Sequence, residues 1–135
     1  MPFMAWNDRL SVGIKVIDDD HKRLLGLANE LYDAIGANRG REVLGPILDG
    51  LVNYTRVHFA REEKFFAQTN YPEAATHKQK HEELMRQVLS IQERWNGGSN
   101  TLTLETMTFL KDWLFDHILD CDGKYGPHLR QSGIE

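Results

Sequence analysis

Four long stretches of this chain repeat apolar residues every three or four positions, and three short punctuated gaps divide them. That spacing is the mark of an α-helix with one buried face. The first stretch, about Asp19 to Ala37, carries Leu24, Leu25, Ala28, Leu31, Tyr32 and Ile35 and ends at Asn38-Arg39-Gly40. The second, about Arg41 to Gln68, carries Leu44, Ile47, Leu48, Leu51, Val52, Thr55, Phe65 and Phe66. Gly45-Pro46 within it predicts a start at Pro46 or a kink there. Asn70-Tyr71-Pro72 reads as a turn with proline at the next helix's first position, where its missing N–H costs nothing. The third stretch runs to about Trp95 with Leu84, Val88 and Ile91 on one stripe, and Asn96 to Asn100 is a loop by composition. The fourth starts near Thr103 and carries Met107, Leu110, Trp113, Leu114 and Ile118 up to Gly123.

Four amphipathic helices with short connections most economically form an up-down-up-down bundle. The expected fold is therefore all-α, one domain over residues 1–135: an arm over about 1–17, a four-helix bundle over about 18–123 and a tail over 124–135. The arm alternates apolar and polar residues (Leu10, Val12, Ile14, Val16) and is too short and irregular to read as a helix. Asp18-Asp19-Asp20 offers N-cap acceptors and favourable negative charge at a helix start, and Gly126-Pro127 is expected to break the tail.

A formal charge of −4 without a basic block argues against nucleic acid or an anionic membrane as the main partner. No apolar run approaches the roughly 20 residues that span a bilayer, and no basic segment followed by an apolar run opens the chain. The single cysteine, Cys121, excludes an internal disulfide and fits a reducing cytosol. These features predict a soluble cytoplasmic protein.

Histidine placement is more specific. Stepping by three and four aligns His21 with Ile17, Leu24, Ala28 and Leu31, and aligns His58 and Glu62 with Leu51, Thr55 and Phe65. It also puts His77 and His81 on the stripe of Leu84 and Val88, and His117 on that of Leu110 and Leu114. Five histidines and one glutamate thus point inward, at least one from each helix, while His128 lies outside the pattern. One histidine on an apolar face is usually a core residue with a single hydrogen-bond partner. Five around a buried carboxylate are not independent: Glu62 alone would cost several kcal/mol unless paired or metal-bound. A shared cation satisfies them all. His58 with Glu62, and His77 with His81, are four apart and converge on one helix face. His117 and Asp122 are five apart, about 140° around a regular helix, so convergence there requires a π-bulge or an unwinding, and Gly123 suits a helix end.

The pattern His21…His58-x-x-x-Glu62…His77-x-x-x-His81…His117-x-x-x-x-Asp122 resembles the hemerythrins, in particular the single-domain bacterial ones. Trp6-Asn7, Gly13-Ile14, Ile17-Asp18, Trp113-Leu114 and Tyr125 agree with it. The resemblance spans nearly the whole chain and fills every ligand position in order. It implies two non-haem iron ions joined by an oxo or hydroxo bridge, with His77, His81 and His117 on one, His21 and His58 on the other, and Glu62 and Asp122 bridging. Five imidazoles, two bridging carboxylates and the bridge then fill eleven of twelve octahedral positions. The open one is where a small ligand enters, whereas a purely structural site is closed. Imidazole-rich sites also suit zinc or copper, so iron follows from the resemblance.

What the resemblance implies is reversible dioxygen binding at the iron with two histidines, for storage or for delivery to an oxygen-consuming enzyme, by a monomer that is not an enzyme. Reversibility requires a dry pocket, because water and acids promote irreversible oxidation. Leu24, Phe59, Leu84, Trp113, Leu114 and Ile118 neighbour ligands and are its candidate walls; for each, the plain alternative is core packing. Tyr125 is a candidate hydrogen-bond donor to a bridging carboxylate. The competing functions are a di-iron enzyme (oxidase, peroxidase or nitric oxide-handling), a sensor acting through a partner, and iron storage. Ferritin-like oxidases use Glu-x-x-His pairs and more carboxylates than this chain supplies.

Overall fold

Asp18 accepts hydrogen bonds from the Ser11 hydroxyl at 2.5 Å and from the Val12 N–H at 2.9 Å. Those bonds tie the arm to the first helix from inside its first turn, and helix α1 begins early, at Lys15, and runs to Gly36. The computed structural model describes residues 3–134, apart from the side chains of 120–123. Within it the aspartate run is not the cap: Ile14 takes that position, Asp19 pairs with Lys15, and Asp20 is buried. The arm is correspondingly shorter than expected and includes a 3-10 turn, Asp8–Leu10, capped by the Asn7 side chain. Asn29 clamps it with two bonds, accepting from the Met4 N–H at 2.7 Å and donating to the Met4 carbonyl at 2.8 Å.

Helix α2, Arg41–Thr69, passes through Gly45-Pro46 without a break. Its first turn is held by Arg41, which stacks over Trp95 and donates to the carbonyls of Trp95 and Ser99. Asn70 ends it in a left-handed conformation, one that asparagine tolerates well. Helix α3, Ala74–Asn96, starts two residues after Pro72, so that proline belongs to the turn and not to the helix. Thr103 caps helix α4, Leu104–Asp116, by accepting the Thr106 N–H. A π-helical turn, His117–Asp122, follows. The chain then continues as helix α5, Gly123–Gln131, straight through Gly126-Pro127 where a break was expected.

Helix α1 packs on α2 and α4, and α2 on α3, forming the four-helix bundle, while α5 returns across α2. No helix among the described residues is long and apolar enough to cross a membrane. The core has two parts. The larger, including Leu24, Leu51, Val88, Leu110 and Leu114, fills the bundle. The smaller, Val12, Ile14, Ile17, Phe66, Tyr71, Tyr125 and Leu129, closes one end of it under α5 and the arm. Between the two parts lies a polar layer.

Candidate metal centre

One helical turn separates Ile17, in the end cluster, from His21, and another separates His21 from Leu24, in the main cluster. His58 and Glu62 stand similarly between Leu51 and Phe66 on α2, and His77 and His81 precede Val88 on α3. His117 opens the π-turn just after Leu114. The helical phase that buries the apolar stripes therefore sets all six polar side chains at one level, and every one is buried.

The six form two groups that share Glu62. Glu62, His77, His81 and His117 present donor atoms all within 4.8 Å of one another, and so do His21, His58 and Glu62. That is the spread of ligands around a single ion, each at about 2.0–2.2 Å from it. Glu62 Oε1 lies 3.2 Å from His58 Nε2 and 3.2 Å from His81 Nε2, one histidine of each group. Neighbouring rings meet edge-on: His21 and His58 with centroids 4.6 Å apart, His77 and His81 at 4.5 Å. Imidazoles around a shared carboxylate in an apolar surround are a donor set for a pair of transition-metal ions. Tyr125, fully buried, donates its hydroxyl to the other oxygen, Glu62 Oε2.

The outward nitrogens of two histidines are also held. His58 Nδ1 is 2.9 Å from Asp20 Oδ2, and His81 Nδ1 is 3.1 Å from Glu63 Oε2. An ionised carboxylate only accepts, so both rings donate from Nδ1, which leaves Nε2, on the Glu62 side, as the atom that would face a metal ion. Asp20 accepts from the Tyr54 hydroxyl at 2.8 Å and from Arg61 at 3.0 Å as well. Burial pushes the Asp20 carboxyl up, but the hydrogen bonds from His58 and Tyr54 and the adjacent positive charge outweigh it and hold it below the ordinary carboxylate range. Burial, with the same pairing behind it, raises the Tyr54 phenol. Sequence reasoning missed Asp20, Tyr54, Arg61 and Glu63. The signal for Asp20 was its four-residue step to Leu24, which the capping reading of Asp18-Asp19-Asp20 obscured.

Asp122 falls among the side chains outside the described residues. Its backbone, however, ends the π-turn that begins at His117. Such a turn holds one residue more than an α-turn and brings positions five apart towards one face, the irregularity that the spacing of His117 and Asp122 required. His128 stays apart from the centre, its Nε2 bonded to the Thr69 carbonyl at 2.9 Å.

Of the proposed pocket walls, Leu24, Trp113 and Leu114 border one enclosed void of about 10 Å³, at the limit of a single water. Thr55, which sequence reasoning left out of the walls, borders it too, with its hydroxyl turned to the Leu51 carbonyl. Ile118 is buried in the main cluster. Phe59 does not border that void but packs on the donor groups, stacked on the His81 ring at 3.8 Å with the His117 and His58 rings at 5.5 and 6.0 Å, beside a groove between α2 and α3. Leu84 faces an outer cleft of about 290 Å³, together with Trp113 and His117.

Comparison with known proteins agrees in extent. The hemerythrin HHE cation binding domain matches residues 12–129. A bacteriohemerythrin of Stenotrophomonas maltophilia is 35% identical over 139 residues, covering 100% of this chain and 90% of its own length. One from Methylococcus capsulatus is 32% identical over 130 residues, covering 96% of this chain and 98% of its own. The crystal structure of a wild-type hemerythrin superposes with a TM-score of 0.89 at 31% identity, over 94% of this chain and 98% of that one.

Proposed function

This chain belongs to the hemerythrin family, and from that premise we propose that it binds dioxygen reversibly at a non-haem di-iron centre. The observation that carries the reading is the position of Glu62, whose Oε1 lies equally close to a histidine of each group, so that one carboxylate belongs to both donor groups. His77, His81 and His117 would hold one iron, His21 and His58 the other, and Glu62 and Asp122 would bridge them. When bound, the two irons supply the electrons that dioxygen takes up and gives back. Everything else is the chain's own work. Asp20 and Glu63 keep His58 and His81 in one tautomer, and Tyr125 holds Glu62 in place by its hydroxyl. Leu24, Leu114 and Ile118 keep water from the centre, as reversible binding requires.

The test is the visible spectrum of iron-loaded protein, reduced and then exposed to air. A charge-transfer band that appears with air, vanishes on deoxygenation and returns on the next cycle, at two irons per chain, is the expected result. Steady oxygen consumption without a reversible band would overturn it. A second reading, a peroxide-reducing enzyme, draws support from the Tyr125 phenol, which puts an O–H group beside the centre. Turnover of hydrogen peroxide by the reduced protein would favour that reading. Under the first, the protein serves as a cytoplasmic monomer that stores oxygen or passes it to an oxygen-consuming enzyme. The lone Cys121 suits a reducing compartment.

A further inference from the structure

Among the described residues Asp20 and Glu62 are the two buried carboxylates, and only Glu62 belongs to either donor group. Asp20 divides its two oxygens between two environments. Oδ2 faces inward and takes the His58 Nδ1–H, while Oδ1 faces outward and takes Tyr54 and Arg61. The Arg61 side chain is 35% exposed, so water shares its charge and it offsets only part of the Asp20 charge. The other group has a weaker counterpart: His81 leans on Glu63, which is 30% exposed and 3.1 Å away. The negative charge behind His58 is thus the more deeply buried of the two and the less screened by water, with Arg61 offsetting part of it.

We propose that Asp20 is the positioning residue of the two-histidine half of the centre, holding His58 as the Nδ1–H tautomer and biasing the metal on that side towards its higher oxidation state. The physical route is short. A carboxylate accepting the imidazole N–H makes the ring a stronger electron donor at Nε2, and a buried negative charge favours the more positive ion. Tyr54 and Arg61 set the strength of the effect by drawing charge from the outer oxygen. The proposal rests on the di-iron reading, and its test separates the two.

Iron-loaded wild type, Asp20→Asn, Arg61→Gln and Tyr54→Phe are titrated with a reductant of known potential, each ferric ion taking one electron to become ferrous. Asp20→Asn keeps an acceptor for His58 and removes the charge, so the ferric-to-ferrous equilibrium shifts towards ferrous by about tenfold or more, in line with other changes behind metal ligands. Arg61→Gln unmasks the Asp20 charge and shifts it the opposite way, with Tyr54→Phe following in smaller measure. Loss of packing alone would not give opposite signs. Equal or same-signed shifts at full iron content would overturn the proposal. Should Asp20→Asn fail to fold, the half-buried Arg61 and Tyr54 variants still decide the sign. Nitrogen-15 spectra of metal-free wild type provide an independent check: a proton on His58 Nε2 in place of Nδ1 would overturn the proposal. A wild type that takes up fewer than two irons would instead count against the di-iron reading, leaving those spectra to judge Asp20.

Discussion

Tyr125 and Glu62, 63 residues apart in the chain, share a hydrogen bond at the level where the two core clusters meet. Through it α5, which the sequence marked only as a tail broken at Gly126-Pro127, reaches the candidate bridging carboxylate. Tyr125→Phe removes the donor and keeps the ring that packs edge-on against Phe66. Glu62 Oε2 then loses a buried bond, which costs about 1–3 kcal/mol. Urea denaturation of the metal-free protein should show a loss of that size, and a change of only a few tenths would mean the bond contributes little.

Leu114 borders the internal void and precedes His117 by one turn. Leu114→Ala would enlarge the void and destabilise the fold by about 2–5 kcal/mol. If the pocket protects the centre by excluding water, the oxygenated spectrum of iron-loaded Leu114→Ala should decay in air faster than wild type at matched iron content. Equal decay rates would return Leu114 to ordinary packing.

Two glycines should respond to alanine with opposite signs. Gly26 sits mid-way along α1 with open space where a methyl group would go. Alanine there should stabilise by about 0.5–1 kcal/mol, because glycine loses more backbone freedom on folding. A methyl group on Gly126 would stand 2.5 Å from the Val12 carbonyl oxygen, which also accepts from Arg130. Gly126→Ala should therefore prise α5 from the arm and cost about 1–3 kcal/mol. Thermal melts of the two variants check both signs together.

His128→Ala should leave metal content unchanged and cost about 1 kcal/mol for the lost bond to the Thr69 carbonyl. His77→Ala should lose metal. Chelation of the wild type should lower its melting temperature, since a ligand that binds only the folded state stabilises it. Elemental analysis beside the melts tests all three, and equal metal loss from the two histidine variants would mean the ligand set is misassigned.

Periodicity alone determined a good deal of this protein. The three-and-four spacing of apolar residues gives four helices, and His21, His58, Glu62, His77, His81 and His117 fall on the same stripes, so their burial follows from the helical repeat itself. The five-residue step from His117 to Asp122 likewise required a local departure from the α-helix, and the chain makes one there. What periodicity could not determine depends on partners distant in the chain. Asp20 reads as a capping residue until Tyr54, His58 and Arg61, more than thirty positions away, surround it. Gly126-Pro127 reads as a break, yet α5 persists because Tyr125 and Leu129 bury against Phe66 and Ile17, and Arg130 and His128 bond to the carbonyls of Val12 and Thr69. Local propensity is worth about 1–3 kcal/mol per glycine or proline, an amount that a few buried contacts and hydrogen bonds overturn. Only the tertiary structure brings those contacts together.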